Sequence, residues 1–589
     1  MFTNSLKSVI KWRYLSQCCS RLGNISQTYA SFSAKDLLYE TSDEAGTLLT
    51  RFAKHVAIER HNICEIVPNK VRYADFFPVS DMKYFHKELS KTSADQLASI
   101  IVYASTYRSN ADPSKFAQVL NELDRYAVDK LCDMNVDTIL RTMYAFLFLI
   151  PNWMTRLDFY SEGMKKLYDT LLQDGCKFKE LFVQVSFYFG LSKKISRNNL
   201  QKQWNSFLHL HLESFLDELS TLDVALVASA AYKTSTKIEY EKFNQRLVKE
   251  VLGTSTVKSG NDALLITLIK SLRFQRVNSD EVCEHVAKIC MNSQQINQFQ
   301  TRGQIHIFAL FADNLWDNEE CMQILVQEFI AKLRNNNTDN YVNRIRGKDI
   351  TTFLWCCFQL KCRMTPHELQ TVEDVLLRMV YNNEFKYFPD QLVEACLSLW
   401  SLGLKSKELL QNAIKIKSDS SPKRQQPKVD SRLTVLLSAA QIEEPTWCMP
   451  LTKGFKSFNI ESSVPAYLLN PDIPYNTLLS RLREENSVAS AAIVCPINGI
   501  NIPGVLVQLS SLSHDSYVFV EIMTKSQTLQ FSNQPVGILR LKVQLLQAMG
   551  YSVKLLSLKD LEGPLNVDEV LQIDNIENIT ETSKNSIKA

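Results

Sequence analysis

The sequence predicts a mainly α protein in which an α-solenoid of helical hairpins precedes a small α/β domain. Three patterns indicate this architecture. Apolar residues follow a helical period over residues 80–417, acidic residues open these helices about every 40 residues, and β-like runs appear near the C-terminus. The chain has only 16 glycines in 589 residues, which argues against an all-β sandwich with many tight turns.

Residues 1–35 have the composition of a mitochondrial presequence. They contain five basic residues and no acidic one, since the first acidic residue is Asp36. Phe2, Leu6 and Val9 can share one face of a helix. A basic amphipathic segment of this kind suits import receptors and the membrane potential, so we expect the protein in the mitochondrial matrix. A disordered basic tail is the alternative.

The helical region repeats with a period of about 40 residues. Acidic residues that open an apolar helix recur along it, and two wider gaps each fit two units. These residues are Asp95, Asp137, Asp223, Asp262, Asp349 and Asp390. The two missing starts fall near residues 178–181 and 302–305. Two helical patterns per unit favour stacked hairpins over an irregular bundle.

Each unit has a largely apolar helix followed by a more charged one. One hairpin cannot bury its apolar helix alone, so neighbouring units must stack. The stack predicts equivalent buried positions for Leu97, Ile139, Leu264 and Leu392.

The remaining chain divides into four predicted segments. Residues 418–430 are polar with two prolines and predict a flexible linker, and residues 431–490 predict a further helical segment. Residues 491–565 predict the α/β domain, with strands at 500–509 and 517–523 and a short third strand at 528–531. Residues 566–589 predict a frayed tail.

Bulk composition narrows the class of protein. The net charge of +3 does not by itself indicate nucleic acid, so any RNA surface must come from local segregation of lysine and arginine. Most of the 14 cysteines lie in apolar helical patterns, which fits buried thiols in a reducing compartment. The longest apolar run, residues 143–150, is too short to cross a bilayer, so we expect no membrane span.

Two ordered motifs resemble a known family. An amphipathic helix ends at Gly550 and a strand begins at Tyr551, and Lys542, Leu546 and Val553 complete a pattern that resembles the RAP domain, with Gln544 where an arginine is usual. Upstream, residues 433–445 form a Leu/Ala-rich helix that ends in an acidic-proline stretch. This segment is similar to the one that precedes RAP in the FASTK family of mitochondrial RNA regulators. The two matches cover about the last quarter of the chain.

The resemblance implies a chemistry to test. The RAP fold resembles restriction-endonuclease-type nucleases, which hold a divalent cation between carboxylates beside a lysine. Glu521 matches the acidic position, but Met523 stands where an aspartate commonly follows, and the preceding strand has no carboxylate. Glu521 is therefore only a weak catalytic candidate. The kinase motifs that the family name suggests are absent from the sequence.

RNA contact is predicted at two places. In the RAP-like module, Arg540, Lys542 and Lys554 could neutralise phosphates and Tyr551 could stack on a base. In the repeats, basic loops could form a phosphate track if they share one face; solvated surface charge is the alternative. These loops carry Lys193, Lys194, Arg197, Arg273, Arg276, Arg344, Arg346, Lys348, Lys361, Arg363, Lys405 and Lys407.

The sequence thus predicts a mitochondrial protein that binds single-stranded RNA and regulates the stability, processing or expression of organellar transcripts. The alternatives are an RNA-processing endoribonuclease and a non-catalytic scaffold for a mitochondrial assembly. Other RNA-processing proteins are possible partners, and we expect no cofactor, metal or DNA. His209 and His211 do not share a helix face, and Cys283 and His285 with Cys290 lack a fourth ligand at the typical spacing of a metal site.

Overall fold

A computed structural model describes residues 71–108, 110–150, 153–192, 198–254, 261–334, 345–420, 426–448, 474–510 and 517–562. The predicted presequence and the predicted tail lie outside these residues. The described chain is mainly helical, with one four-stranded mixed sheet near the C-terminus. It divides into two compact units, Met1–Val277 and Asn278–Ala589.

The first unit contains ten described α-helices. They are α1 (Met82–Ser90), α2 (Ala94–Arg108), α3 (Pro113–Asp129), α4 (Val136–Leu149), α5 (Asp158–Asp174), α6 (Lys179–Leu191), α7 (Asn198–Phe215), α8 (Thr221–Thr234), α9 (Glu241–Gly253) and α10 (Asn261–Gln275). Even-numbered helices pack in the pairs α2 with α4, α6 with α8 and α8 with α10, and odd-numbered helices pack in the pairs α1 with α3, α3 with α5 and α5 with α7.

The second unit begins with another series of helices. They are α11 (Asp280–Met291), α12 (Ser293–Ile296), α13 (Thr301–Asn314), α14 (Glu319–Arg334), α15 (Gly347–Leu360), α16 (Pro366–Tyr381), α17 (Pro389–Ser401), α18 (Lys407–Ser420), α19 (Gln426–Glu443) and α20 (Pro445–Cys448). The four helices α13, α15, α17 and α19 pack in that order, each on the next.

The structure confirms the predicted helix starts. Each of the six predicted acidic residues lies in the first turn of a helix, and the two missing starts correspond to α6 and α13. Leu97, Ile139, Leu264 and Leu392 are each the fourth residue of their helix, and all four are buried. The fourth residue of each of these four helices is therefore a buried apolar position.

The predicted linker 418–430 is wrong over its described residues. Helix α18 extends to Ser420, and α19 begins at Gln426. Pro427 is compatible with this start because proline is tolerated in the first turn of a helix. Buried Val429 and an ion pair between Lys428 and Asp390 hold this turn against α17. The described ends of the predicted linker, residues 418–420 and 426–430, are therefore helical.

The α/β domain starts earlier than the predicted residue 491. Helix α21 (Pro474–Arg483) packs on the sheet, whose strands are β1 (Val488–Val494), β2 (Gly504–Leu509), β3 (Tyr517–Met523) and β4 (Ser552–Ser557). Helix α22 (Gly537–Ala548) connects β3 to β4, and α23 (Leu558–Glu562) follows. The strand order is β1-β2-β3-β4, with β1–β2 and β2–β3 antiparallel and β3–β4 parallel. The sequence did not predict β1.

Side-chain alternation gives the sheet two faces. Val518, Val520 and Ile522 of β3 share an apolar core with Leu478 and Leu482 of α21. Full burial of each of these two leucines contributes about 1.5–3 kcal/mol. Phe519 and Glu521 point to the opposite face, where α22 lies. The short third strand predicted at residues 528–531 is wrong, because only an isolated bridge joins Thr528 to Pro535.

Gly550 links α22 to β4 in the left-handed conformation that the sequence predicts. Its φ is +92°, and the amides of Gly550 and Tyr551 donate to the carbonyls of Gln547 and Leu546. These two hydrogen bonds are the pattern by which a glycine ends a helix.

We expect Gly550→Ala to destabilise the second unit by about 1 kcal/mol through backbone strain alone. A Cβ at this position would meet no atom within 4 Å, so no clash adds to the strain. Urea unfolding measures the change. Gly253→Ala is the control, since a Cβ there also meets nothing but its φ is not positive; equal midpoints for the two variants would contradict the prediction.

None of the described helices is both long enough and apolar enough to cross a membrane.

Candidate nucleic-acid interface

A buried ion pair lies at the centre of the α/β domain. Glu521 of β3 and Lys542 of α22 are both fully inaccessible to solvent, and the Lys542 ammonium contacts the Glu521 carboxylate. The same ammonium lies 4.9 Å from the centre of the Phe519 ring. Apart from the ion pair, neither charged group has a hydrogen-bond partner among the described residues. The two charges therefore depend on each other.

Gly504 of β2 makes room for this pair. A Cβ at Gly504 would lie 2.6 Å from Oε1 of Glu521 and within clash distance of the Phe519 ring. Cys495, just beyond β1, is close enough for its thiol to interact with both charges. Burial raises the pKa of this thiol above its usual value, so the thiol is neutral at physiological pH.

Desolvation opposes both charges of the pair. Burial raises the pKa of Glu521 to about 7 despite the lysine, and burial lowers the pKa of Lys542. Among the described residues, no group of three or more histidine, cysteine or carboxylate side chains could hold a metal ion. The buried Glu521 carboxylate thus faces an ammonium group rather than a second carboxylate.

Lys542 was predicted to contact phosphate, and that placement is wrong. The residue lies on the apolar face of α22, among buried Leu541, Leu545 and Leu546. The sequence contains evidence for this burial, because Lys542 lies three and four positions before Leu545 and Leu546. Residues at this spacing share a helix face. An ammonium group that is enclosed by the sheet cannot reach a nucleic-acid backbone.

Arg540, the second predicted phosphate contact, instead joins the α/β domain to the helices. Its guanidinium donates to the carbonyl oxygens of Pro535 and Phe358. Phe358 lies in the last turn of α15, where carbonyls have no partner within the helix and favour a cation. Burial lowers the pKa of Arg540 to about 10, so it remains protonated at neutral pH. Its donors are therefore directed into the protein.

Tyr551 and Lys554 are half-buried. The Tyr551 ring meets the Phe519 ring edge to face, with centroids 6.3 Å apart. RNA contact by Tyr551 and Lys554 stays a prediction.

The segment between β3 and α22, residues 524–536, binds the C-terminal end of α13; we call it the docking segment. The amide of Gln530 donates to the carbonyl of Leu315, and its side chain donates to the carbonyl of Asn314 at 3.0 Å. Asp317 accepts from the amides of Phe531 and Ser532, at 2.8 and 3.2 Å. The docking segment therefore satisfies helix-end carbonyls that would otherwise lack partners.

The two segments that resemble the FASTK family touch each other. Gln544 of α22 donates to Glu443 at the end of α19, at 2.7 Å. Glu443 also accepts from the Trp400 indole at 2.6 Å and lies 3.7 Å from the Lys405 ammonium. Gln544 thus binds the acidic stretch of the upstream motif. The sequence singled out both motifs but did not predict this contact.

The C-terminal ends of α13, α15 and α17 form one edge, and most of its polar groups are bound to other parts of the second unit. Lys361 donates to Gln534 of the docking segment at 3.3 Å, and Arg363 pairs with Glu319 at 3.2 Å. Lys405 pairs with Glu444 as well as with Glu443. These three cations were among the predicted basic loops, and the structure gives each of them a partner within the second unit.

The N-terminal ends of α13, α15, α17 and α19 form the opposite edge. Three contacts show that these ends are adjacent. Arg302 lies 3.8 Å from Asp349, the Thr351 hydroxyl donates to the Gln391 carbonyl at 3.0 Å, and Lys428 lies 3.5 Å from Asp390. Four parallel helices therefore direct their partially positive ends to one side.

Basic side chains collect on this edge, and we call them the basic edge. They are Arg302, Arg346, Lys348, Lys386, Lys428 and Arg432. All are exposed except half-buried Arg432. The carboxylates nearby are all buried or half-buried; they are Asp349, Glu384, Asp390, Glu394 and Asp430. Four of these cations pair with the carboxylates: Arg302 and Arg346 with Asp349, Lys428 with Asp390, and Arg432 with Glu394. Lys348 and Lys386 have no ion pair among the described residues. The charges that face solvent are therefore mainly positive, although the local sum is close to neutral.

Arg346 illustrates how the basic edge is built. Its guanidinium holds Asp349 with bonds of 2.6 and 2.9 Å, and this bonding raises the pKa of Arg346 above its usual value. Asp349 is buried and Arg346 is exposed, so the pair presents its cation outward. Arg344, the neighbouring predicted RNA contact, lies outside the described residues.

The structure thus identifies contributors that the sequence did not single out. In the sequence, Gly504 is only a glycine and Asp317 and Gln530 are only polar residues. Their roles depend on residues that are distant in the chain.

No family model matches the chain, and no curated protein matches it.

Proposed function

We propose that this chain is a mitochondrial RNA-binding protein of the FASTK type that regulates the stability, processing or expression of organellar transcripts. In this proposal the helices form an α-solenoid that holds single-stranded RNA, and the C-terminal α/β domain is a RAP-type module. The observation that carries the proposal is the basic edge of the second unit. An extended polyanion needs a row of outward-facing cations, and this edge supplies one across four helices.

The arrangement around Glu521 supports a role without catalysis for the RAP-type module. A metal-dependent nuclease needs carboxylates that are free to hold a cation. Here the carboxylate is enclosed and paired with Lys542. In the proposal, the helical repeats therefore contact RNA. The α/β domain covers their opposite edge, at the C-terminal ends of α13, α15 and α17.

Charge reversal on the basic edge tests the proposal. Lys348→Glu with Lys386→Glu removes two exposed cations, and we expect the full chain to bind an unstructured oligouridylate more weakly. The slope of log affinity against log salt should fall by about 1.4, because each single-strand phosphate contact contributes roughly 0.7. Filter binding across a salt titration measures both quantities. A glutamate in the first turn of α15 is compatible with the helix dipole, so the fold should be retained.

A matched variant controls for total charge. Lys407→Glu with Lys525→Glu makes the same change at exposed lysines outside the basic edge. This control should bind nearly as the wild type does. An equal loss of RNA affinity in both variants would indicate that total charge, rather than the basic edge, attracts the RNA. A wild-type chain that binds no RNA would overturn the proposal in favour of a scaffold, and metal-dependent cleavage of the RNA would favour the nuclease.

A further inference from the structure

Two aromatic side chains stand out of the turn that precedes α17. Tyr387 and Phe388 are 70% and 48% exposed, whereas large aromatic side chains are usually buried for much of their surface. Both lie directly after Lys386 of the basic edge. Exposed aromatic rings beside exposed cations are the combination by which proteins bind single-stranded nucleic acids.

The turn that displays these rings is held in one conformation. Phe385 is buried against Gly347, where an added Cβ would lie 2.6 Å from the Phe385 ring. Asn383 is left-handed with φ +56°, and the amides of Glu384 and Phe388 donate to main-chain carbonyls at 3.0 Å. A rigid turn displays its side chains at a low entropic cost of binding.

The contact between Phe385 and Gly347 also sets the position of the rings. Gly347 lies between Arg346 and Lys348, so the turn is anchored between two exposed cations of the basic edge. Tyr381, at the start of the turn, is exposed too, but its hydroxyl contacts the Glu408 carboxylate. A carboxylate repels phosphate, so Tyr381 is a poorer neighbour for RNA than Tyr387 and Phe388.

We infer that Tyr387 and Phe388 form a base-stacking platform, on which unpaired bases stack while Arg346, Lys348 and Lys386 contact the adjoining phosphates. This inference rests on the proposed function and specifies its ligand as single-stranded RNA. Aromatic rings stack on any base, but only on one that is not already paired and enclosed in a duplex. The platform therefore selects single strands with little dependence on sequence.

The test uses a full-chain double variant that carries both Tyr387→Ala and Phe388→Ala. Its RNA binding is compared with that of the wild type. The probes are an unstructured oligouridylate and a fully paired RNA duplex. We expect affinity for the oligouridylate to fall about tenfold or more per ring, since stacking of one base contributes a factor of this size. The slope against log salt should stay unchanged because no cation is removed, and binding to the duplex should change little.

Three controls make the result decisive. Thermal unfolding should not change, because both rings are exposed. Tyr84→Ala removes another exposed tyrosine, in the first unit, and should leave binding unchanged. Tyr387→Phe with Phe388→Tyr should retain wild-type affinity. If the wild type binds RNA and the alanine pair binds equally well, only the platform is overturned. If the wild type binds no RNA, the proposed function is overturned as well.

Discussion

Glu521→Leu should destabilise the second unit by about 3–5 kcal/mol, because it leaves the Lys542 ammonium buried without a partner. Both side chains are fully enclosed, and no other described group bonds to the ammonium. Lys542→Met should cost less, because the pKa of Glu521 is already raised to about 7 beside the lysine, and without the ammonium the carboxyl takes up a proton at neutral pH. Urea unfolding followed by near-ultraviolet circular dichroism measures both changes.

The double variant separates the loss of the pair from the loss of packing. Replacement of both charges by apolar groups of similar volume is often neutral or stabilising, so Glu521→Leu with Lys542→Met should recover most of the lost stability. The coupling energy from the four proteins isolates the ion pair. Additive losses of stability in the double variant would show that the charges do not depend on each other, and would contradict a buried ion pair between Glu521 and Lys542.

The same cycle bears on function. If the double variant is stable and still binds RNA with the wild-type salt slope, the ion pair serves the fold and RNA contacts lie elsewhere. This outcome is the one the basic edge predicts. Loss of a defined RNA cleavage product in the double variant would instead return the nuclease to consideration.

Helix positions could be predicted from the sequence because their causes are local. An acidic residue in the first turn and an apolar residue two or three positions later recur with the period of one hairpin, as in Asp95 with Leu97 and Asp390 with Leu392. These signals depend on capping and on burial of one helix face, which the sequence contains. Strand β1 was missed because its exposed positions are filled by small residues, so the alternation is weak.

The site was harder to predict because its chemistry depends on neighbours that are distant in sequence. A basic residue on a helix is usually solvated, and only the packing of α22 on β3 shows that Lys542 is enclosed. Arg540 similarly becomes a helix-end partner only because α15 lies beside it. The basic edge consists of residues from four helices, and their alignment depends on how the hairpins stack.

The last prediction concerns how far this stacking extends. Leu392→Asp should unfold the helices around α17, because it buries a carboxylate between α15 and α19 at a position with no exposed surface. Burial of an uncompensated charge costs more than the interface of one repeat can supply. Hydrogen exchange should lose protection in α15, α17 and α19. The loss should spread to α22, since Arg540 and Gln544 bind α15 and α19.

Leu392→Met is the matched control for this prediction. It keeps an apolar side chain of similar volume at the same position and should cost less than about 1.5 kcal/mol. If the α/β domain loses hydrogen-exchange protection together with α17, the docking segment joins the repeats and the sheet in one cooperative unit. Protection kept in β2 and β3 while α17 opens would show that the sheet folds independently. A soluble aspartate variant with unchanged unfolding and exchange would contradict the buried assignment of Leu392 and the repeat register deduced from it.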